Sequence, residues 1–386
     1  AIATRDLSPG QYLCNDRIVS SLRERGVEFE LPKESNFRDI VPSFELSEES
    51  FKASLQVSTY DDTRSFSGYH RCKARGTGTR NYGIIVGLTS RTASFARLLA
   101  DRARDMKSPN FDGVVPISHT ELGRNMKANN VELVLRTLAG FIVHSNVAFS
   151  VLLDDGDGAV SERLYDFMKS LKYPIEHCRN KIVILGHSSF ESELENASKT
   201  MRSLAMDSMK SDKRTTRPLS ELCVALQCGG SDAFSGISAN PLVGLVAREL
   251  IRHGGSAIQA ETDELMGAEK YFLRHCRNFG VAKSFLKMIA RFKKRLESHG
   301  ASAEGNPSGG NIYRGLYNIA LKSCGAAQKK ASDLSLDHTL EYGECRSQRC
   351  GFMFMDSPGN DLESIAYVFF CSDFFVPNSY SHLFNK

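Results

Sequence analysis

A chain of 386 residues with 41% hydrophobic side chains is long enough for a substantial core and for two or three domains. Its 49 Lys and Arg nearly balance 45 Asp and Glu, leaving a formal charge of +4, far from the basic footprint of a nucleic-acid binder. No run approaches the roughly 18 apolar residues of a membrane span, and the ten Cys are scattered, so the expectation is a soluble protein with reduced thiols, from the cytoplasm or, after loss of a targeting peptide, an organelle matrix.

Residues 1–66 are polar and irregular, with turn signals in "SPG" and "LPKESN", and read as an N-terminal arm, short and irregular or β-rich. From residue 67 the pattern alternates. "NYGIIVGL", "DGVVPI", "AFSVLLD" and "KIVILG" are runs of buried-strand type, and "SFARLLADRARDM", "VELVLRTLAGFIVH" and "ESELENASKTMRSLAMDSM" have helical spacing. Such alternation predicts a mostly parallel sheet covered by helices, a first α/β domain over 67–212. "KSDKRTTRPLSE" reads as a charged connector with no apolar face, which puts the boundary between Lys210 and Glu221.

The rhythm restarts in a second α/β domain over 213–386. "CVALQ" is its first strand, "PLVGLVARELIRH" a helix and "SAIQAE" the next strand, with Asn240 expected as the helix cap and Pro241 in the first turn. The fold class is therefore α/β, two mainly parallel-sheet units behind an arm. A right-handed crossover places the loop after Cys228, together with Glu261, at the carboxyl ends of neighbouring strands, where open α/β sheets bind ligands.

That loop, "CGGSDAFSGIS", is rich in groups that suit a polyhydroxy acid. Gly229 and Gly230 permit close backbone approach and free N–H groups for a carboxylate, while Ser231, Asp232 and Ser235 add donors and acceptors for hydroxyls. It is neither a dinucleotide fingerprint nor a P-loop, and equally its glycines can serve simply to bend the chain. Cys223 with Cys228, and Cys345 with Cys350, lack the spacing of a zinc site.

"LQCGGSDAFSGISANPLVG" followed by "HGGSAIQAETDELMGAE" resembles the altronate and galactarate dehydratase family, and "GYHRCKARGTGTRNYGIIV", "GNPSGGN", "KSCGAAQKKA", "LEYGE" and "FMDSPGND" stand in the family's order. The resemblance runs from about Gly68 to about Ser364, and it makes the arm the remnant of a β-rich lead domain. It implies a hydro-lyase that removes water from an aldonic or aldaric acid to give a 2-keto-3-deoxy acid, with a divalent metal, ferrous iron in family members, holding the enediolate. Such chemistry needs a base, a cation and an acid. His119, Asp232 and Glu261 are the implied catalytic residues, the two carboxylates being expected to face solvent. Arg80, Cys228, Gly229, Gly230, Ser231, Ser235, Asn240 and Asn306 are the implied substrate-binding set, and no metal-ligand set can be named.

The chain also departs from the family. Arg91 or a neighbour, Gly123, and Asp154 or Asp155 stand where the family has Cys, Ile312 replaces a Lys, and "FFCSDFFVPNS" replaces a Gly-Arg-Gly segment. Two classes of function follow. One is a sugar-acid dehydratase, or a related lyase acting on sulfolactate, with a small-molecule sugar acid as its partner. The other is a non-catalytic homologue without a cofactor, serving as a structural subunit; a homo-oligomer or larger assembly suits either.

Overall fold

The computed structural model describes residues 24, 44–72, 74–123, 130–228, 232–303, 306–344, 350–357 and 374–378, the last stretch and Cys228 by backbone alone. In chain order the first part contains β1 (Ser65–Cys72), β2 (Gly76–Gly78), β3 (Tyr82–Gly87), α1 (Ala93–Asp101), β4 (Gly113–Ile117), α2 (Val131–Val143), β5 (Val147–Asp155), α3 (Ala159–Ser170), β6 (Arg179–Leu185), α4 (Phe190–Ser211) and β7 (Thr215–Pro218). Strands β4, β3, β5 and β6 lie side by side in that order, all parallel.

Successive residues of these strands serve opposite faces, as the pleat requires. Ile84, Val86 and Leu152 pack under α2 and α3, while Ile85, Val151 and Leu153 pack under α1 and α4. Helices on both faces explain why β5 is buried along its whole length. Each fully buried Val, Leu or Ile here contributes roughly 1.5–3 kcal/mol.

The second unit contains β8 (Cys223–Cys228), α5 (Ala233–Ile237), α6 (Ala239–Arg252), β9 (Ser256–Gln259), α7 (Glu269–Phe272), α8 (Phe279–Ser298), α9 (Gly309–Tyr313), α10 (Ile319–Ala327), β10 (Leu336–Leu340), β11 (Gly351–Met355) and β12 (Phe374–Asn378). Its sheet, in the order β10, β11, β9, β8, β12, is also wholly parallel. Two parallel-sheet α/β units thus stand as the alternation implied.

One face of this sheet carries Val224, Leu226, Phe352 and Phe354 against α6 and α8. The other carries Cys223, Ala225, Ile258 and Met353, and Leu133 and Phe141 of α2 pack against it. Helix α2 is therefore shared. Its Val131, Val134, Leu135 and Leu138 belong to the first core, Leu133 packs on the second sheet, and Phe141 touches both.

Two readings of the sequence need correction. The charged connector contains β7, which pairs antiparallel with β1, from Ser65 opposite Pro218 to Gly68 opposite Thr215. Backbone pairing at an edge leaves no apolar pattern, so the strand is silent in the sequence. Asn240 does not cap its helix: α6 begins at Ala239, and the buried Asn240 side chain donates to the Gly325 carbonyl at 2.8 Å.

Part of the arm is ordered against the second unit. Phe44, Leu46, Phe51 and Val57 pack on its core, Ser54 N–H donates to the Cys276 carbonyl, and Gln56 Nε2 donates to Asp337 at 2.7 Å. The arm residues up to 43, apart from residue 24, lie outside the described residues.

The same core buries Lys330 completely, its ammonium 5.8 Å from the centre of the Phe272 ring. Burial lowers its pKa to about 8. Between that value and the usual lysine value near 10.5 the unfolded chain holds the proton more tightly, so this residue's penalty is largest below about pH 8 and fades as pH rises. Lys330→Met is expected to raise the thermal midpoint, and the gain over wild type should be larger at pH 7 than at pH 9.5 in paired melting curves.

Candidate active site

At the carboxyl edge of the second sheet, β8 ends near Gln227 and β9 is followed two residues later by Glu261, because Leu226 is in register with Gln259. Glu261 takes a left-handed backbone conformation with φ of 71°, unusual for a residue with a Cβ and costing on the order of 1 kcal/mol. Its surroundings hold it there. Its N–H donates to Ser357 Oγ at 3.0 Å, and its carbonyl accepts from Glu264 N–H at the head of a 3-10 turn over Thr262–Leu265.

The carboxylate of Glu261 accepts from Gln227 Nε2 at 2.8 Å and from Lys329 Nζ at 2.6 Å. Lys329, wholly buried just beyond α10, also lies 3.6 Å from Glu264. Lys322 within α10 reaches Glu264 at 3.0 Å and donates to Asn306 Oδ1 at 2.6 Å, and Asn306 Nδ2 donates to Asp263 at 2.9 Å. Glu261 is only 4% exposed, so it is not the solvent-facing carboxylate expected from the sequence.

Among the described residues, three buried carboxylates therefore share this site with two ammonium groups. Burial first, and the neighbouring Glu264 second, push Glu261 up to about 8 against the pull of Lys329; the same two causes raise Asp263 to about 7. Groups this close titrate together, so the raised values belong to the cluster as a whole.

Beside the cluster is a cavity of about 270 Å³ between the two units. Asn130 and Arg136 of the first unit face Arg291, Arg295, Asp356 and Ser357 of the second. Ser357 and Asp356 join cavity to cluster, since Asp356 accepts from Thr262 Oγ1 at 2.6 Å and from Arg291 Nε at 3.1 Å.

The other sequence candidates are dispersed. His119 follows β4 at the carboxyl edge of the first sheet, beside the Gly87 and Leu88 backbone, and burial lowers its pKa. Its Nδ1 accepts from Glu121 N–H, and the Glu121 carboxylate accepts from Asn130 of the cavity wall, which links His119 to that wall through two hydrogen bonds. Arg80 precedes β3, at the opposite end of the first sheet, where it pairs with Asp112 at 3.3 Å and bonds Tyr82. Asp232 and Ser235 close a capping box on α5, with Ser235 N–H donating to Asp232 at 2.6 Å. Cys228 ends β8, and Gly229, Gly230 and Ser231 lie outside the described residues.

Positions where the resemblance implies thiols come together at the carboxyl edge of the first sheet. Arg91 lies 3.6 Å from Asp155, Thr89 Oγ1 donates to Asp155 at 3.3 Å, and Ser90 N–H bonds the carbonyl of Leu122, next to Gly123. Asp154 accepts from Ser161 N–H at the start of α3. Ile312 sits half exposed on α9.

Among the described residues no three His, Cys, Asp or Glu side chains converge on a point that could hold a metal ion. The carboxylates of Glu261, Asp263 and Glu264 are instead engaged by lysine or amide groups. The donor set of the described residues does not fit the implied ferrous ion.

The sequence reading missed Gln227, Asp263, Glu264, Lys322 and Lys329. Two signals were present: the acidic run "ETDE" just after a strand, and the lysines of "KSCGAAQKK".

Residues 219–371 match the model of the D-galactarate/altronate dehydratase C-terminal domain, and residues 68–208 match that of the second domain of D-galactarate dehydratase/altronate hydrolase. The chain belongs to the altronate/galactarate dehydratase family. It is 30% identical over 310 residues to an altronate dehydratase of Bacillus subtilis (strain 168), covering 78% of this chain and 59% of that protein. Identity to an altronate dehydratase of Escherichia coli (strain K12) is 39% over 153 residues, 40% of this chain and 30% of that one. The (2R)-sulfolactate sulfo-lyase subunit beta of Chromohalobacter salexigens is 28% identical over 304 residues, 78% of this chain and 74% of the subunit. The chain thus spans less than two thirds of either altronate dehydratase.

Removing one partner of a buried ion pair leaves the other charge stranded. Lys329→Met should cost about 3–5 kcal/mol in urea unfolding. Adding Glu261→Gln to it should restore part of that loss, a coupling that a double-mutant cycle measures.

Proposed function

We propose that the protein is a hydro-lyase acting on an aldonic or aldaric acid, and that the Glu261 cluster with the adjoining cavity is its active site. The observation that carries this reading is a buried carboxylate, raised to about 8 and held 2.6 Å from a buried ammonium, at the carboxyl edge of a parallel sheet. A catalytic base works best with a pKa near the operating pH, and this carboxylate has been brought there by burial.

In the proposed reaction Glu261 takes the proton from the carbon next to the substrate carboxylate. The electrons of that C–H bond form a carbon–carbon double bond, and the neighbouring hydroxyl leaves as water after receiving a proton. The resulting enol becomes the 2-keto-3-deoxy acid. Lys329 puts positive charge beside the base and Gln227 fixes its orientation. Asp263, raised to about 7, has Oδ1 buried without a hydrogen-bond partner among the described residues and is the proposed proton donor to the leaving hydroxyl. Arg295, exposed on the cavity wall with no ion pair among the described residues, is the proposed anchor for the substrate carboxylate. Three relatives, two named altronate dehydratase and one named galactarate dehydratase (L-threo-forming), support the reaction class.

A second reading, a non-catalytic subunit of a larger assembly, is favoured by the Thr89–Arg91–Asp155 network at positions of implied thiols. One experiment separates the two. Purified protein is incubated with ferrous iron and a panel of aldonic and aldaric acids, and the 2-keto product is detected chemically. Turnover should appear with at least one acid, and Glu261→Gln should reduce it by about 10³-fold or more when assayed at a temperature where circular dichroism shows the variant folded. Because the base must be ionised and the acid protonated, kcat/KM should climb about tenfold per pH unit below about pH 7, pass through a maximum between about pH 7 and 8, and fall again on the alkaline side. Absence of product from every acid leaves the subunit reading.

A further inference from the structure

A second polar cavity, of about 450 Å³, lies at the amino edge of the first sheet, the end remote from His119. Tyr69, His70 and Arg71 of β1 form one wall, His177 and Arg179 at the start of β6 another, and the turn from Ser211 to Thr215 the third. Arg75 and Lys213 also line it. Four permanent cations therefore surround the space, and Asp212 is the carboxylate among its lining residues.

Among the described residues the nearby carboxylates are engaged, Glu221 lying 4.0 Å from His70 of the wall. Asp212 is already shared, 3.5 Å from Arg71 and in a short ion pair with Arg179. Glu221 is paired with Arg217, and the exposed Glu176 faces the His177 ring at 3.4 Å. Arg75 bonds the carbonyls of Val143, His144, Val147 and His177, so it caps the carboxyl end of α2. A helix terminus supplies only about half a negative charge, which leaves an excess of positive charge. Lys213 is exposed and has no ion pair among the described residues. Burial, and after it the neighbouring Arg75, lower the pKa of Arg71 to about 10.

Guanidinium and ammonium groups around one polar hollow, with the hydroxyls of Ser211 and Thr215 on its rim, are the chemistry that recognises a phosphoryl dianion. The space exceeds what a bare phosphate fills and lies in the range of small-ligand sites. We infer that this cavity is a binding site for the phosphoryl group of a small phosphorylated molecule, separate from the Glu261 site and independent of the function proposed for it.

The test is calorimetric titration of the intact protein with inorganic phosphate and with a hexose 6-phosphate, at ionic strength held constant with chloride, followed by thermal melts under the same conditions. Saturable binding with a raised melting midpoint is expected. Lys213→Glu, which breaks no side-chain bond among the described residues, should weaken it at least tenfold, and Arg179→Gln should do the same, while Lys181→Glu, an exposed charge outside the cavity, should not change it. Tighter binding of the hexose phosphate identifies an organic phosphate as the ligand, and equal binding identifies the free ion. No saturable heat from either compound, or an equal response from wild type and Lys213→Glu, overturns the proposal.

Discussion

Lys329 is the ion on which the carboxyl edge of the second sheet depends. Without a buried ammonium 2.6 Å from Glu261 and 3.6 Å from Glu264, neither carboxylate could be withdrawn from water at tolerable cost. The left-handed turn at Glu261 aims the side chain inward, and the 3-10 turn that follows delivers Asp263 and Glu264 to the same place. Lys322 and Asn306 then complete a set in which each carboxylate is answered by a neighbour. Such a network is costly to build for stability alone. In the proposed reaction its value is a carboxylate held ready to take a proton.

The two units are coupled through α2. A helix with one apolar face would serve one core, but Leu133 and Phe141 extend the apolar surface around the cylinder, so α2 packs on both sheets. Its amino-terminal half thereby presents Asn130 and Arg136 to the cavity beside Ser357. Chain order contributes nothing to this meeting, since packing brings together residues more than 200 positions apart.

How much of this the sequence disclosed follows from the range of the interactions. Continuous apolar runs such as "YGIIVG" and "VAFSVLLDD" mark strands covered on both faces, because burial on two sides is written in adjacent residues. Glu261 was legible as the residue that ends a strand. Lys329 was not, because its role arises only when α10 returns over β9 some 68 positions later. Asp232 shows the reverse: a carboxylate beside glycines looks like a ligand group, yet its oxygen is occupied by the N–H of Ser235 three residues on. Two of the positions where the resemblance implies thiols, Arg91 and Asp155, face each other in space, which separate losses read along the sequence do not disclose.

The pairing of β1 with β7 has a topological consequence. Strand β1 leads into the first unit and β7 leads out, and because they lie side by side, everything between Ser65 and Pro218 is an insertion into the second unit. The host is assembled from two pieces, the segment carrying Phe51 and Val57 and the chain beyond Leu219, which share one core. Closing a flexible loop of that length has an entropic cost of about 4 kcal/mol. If the insert folds first and brings its own ends together, most of that cost is met by contacts local to the insert, and the host then closes across a short gap. The ribbon of β1 and β7 is thus a clasp, and it makes the order of assembly, insert before host, the thermodynamically easier one.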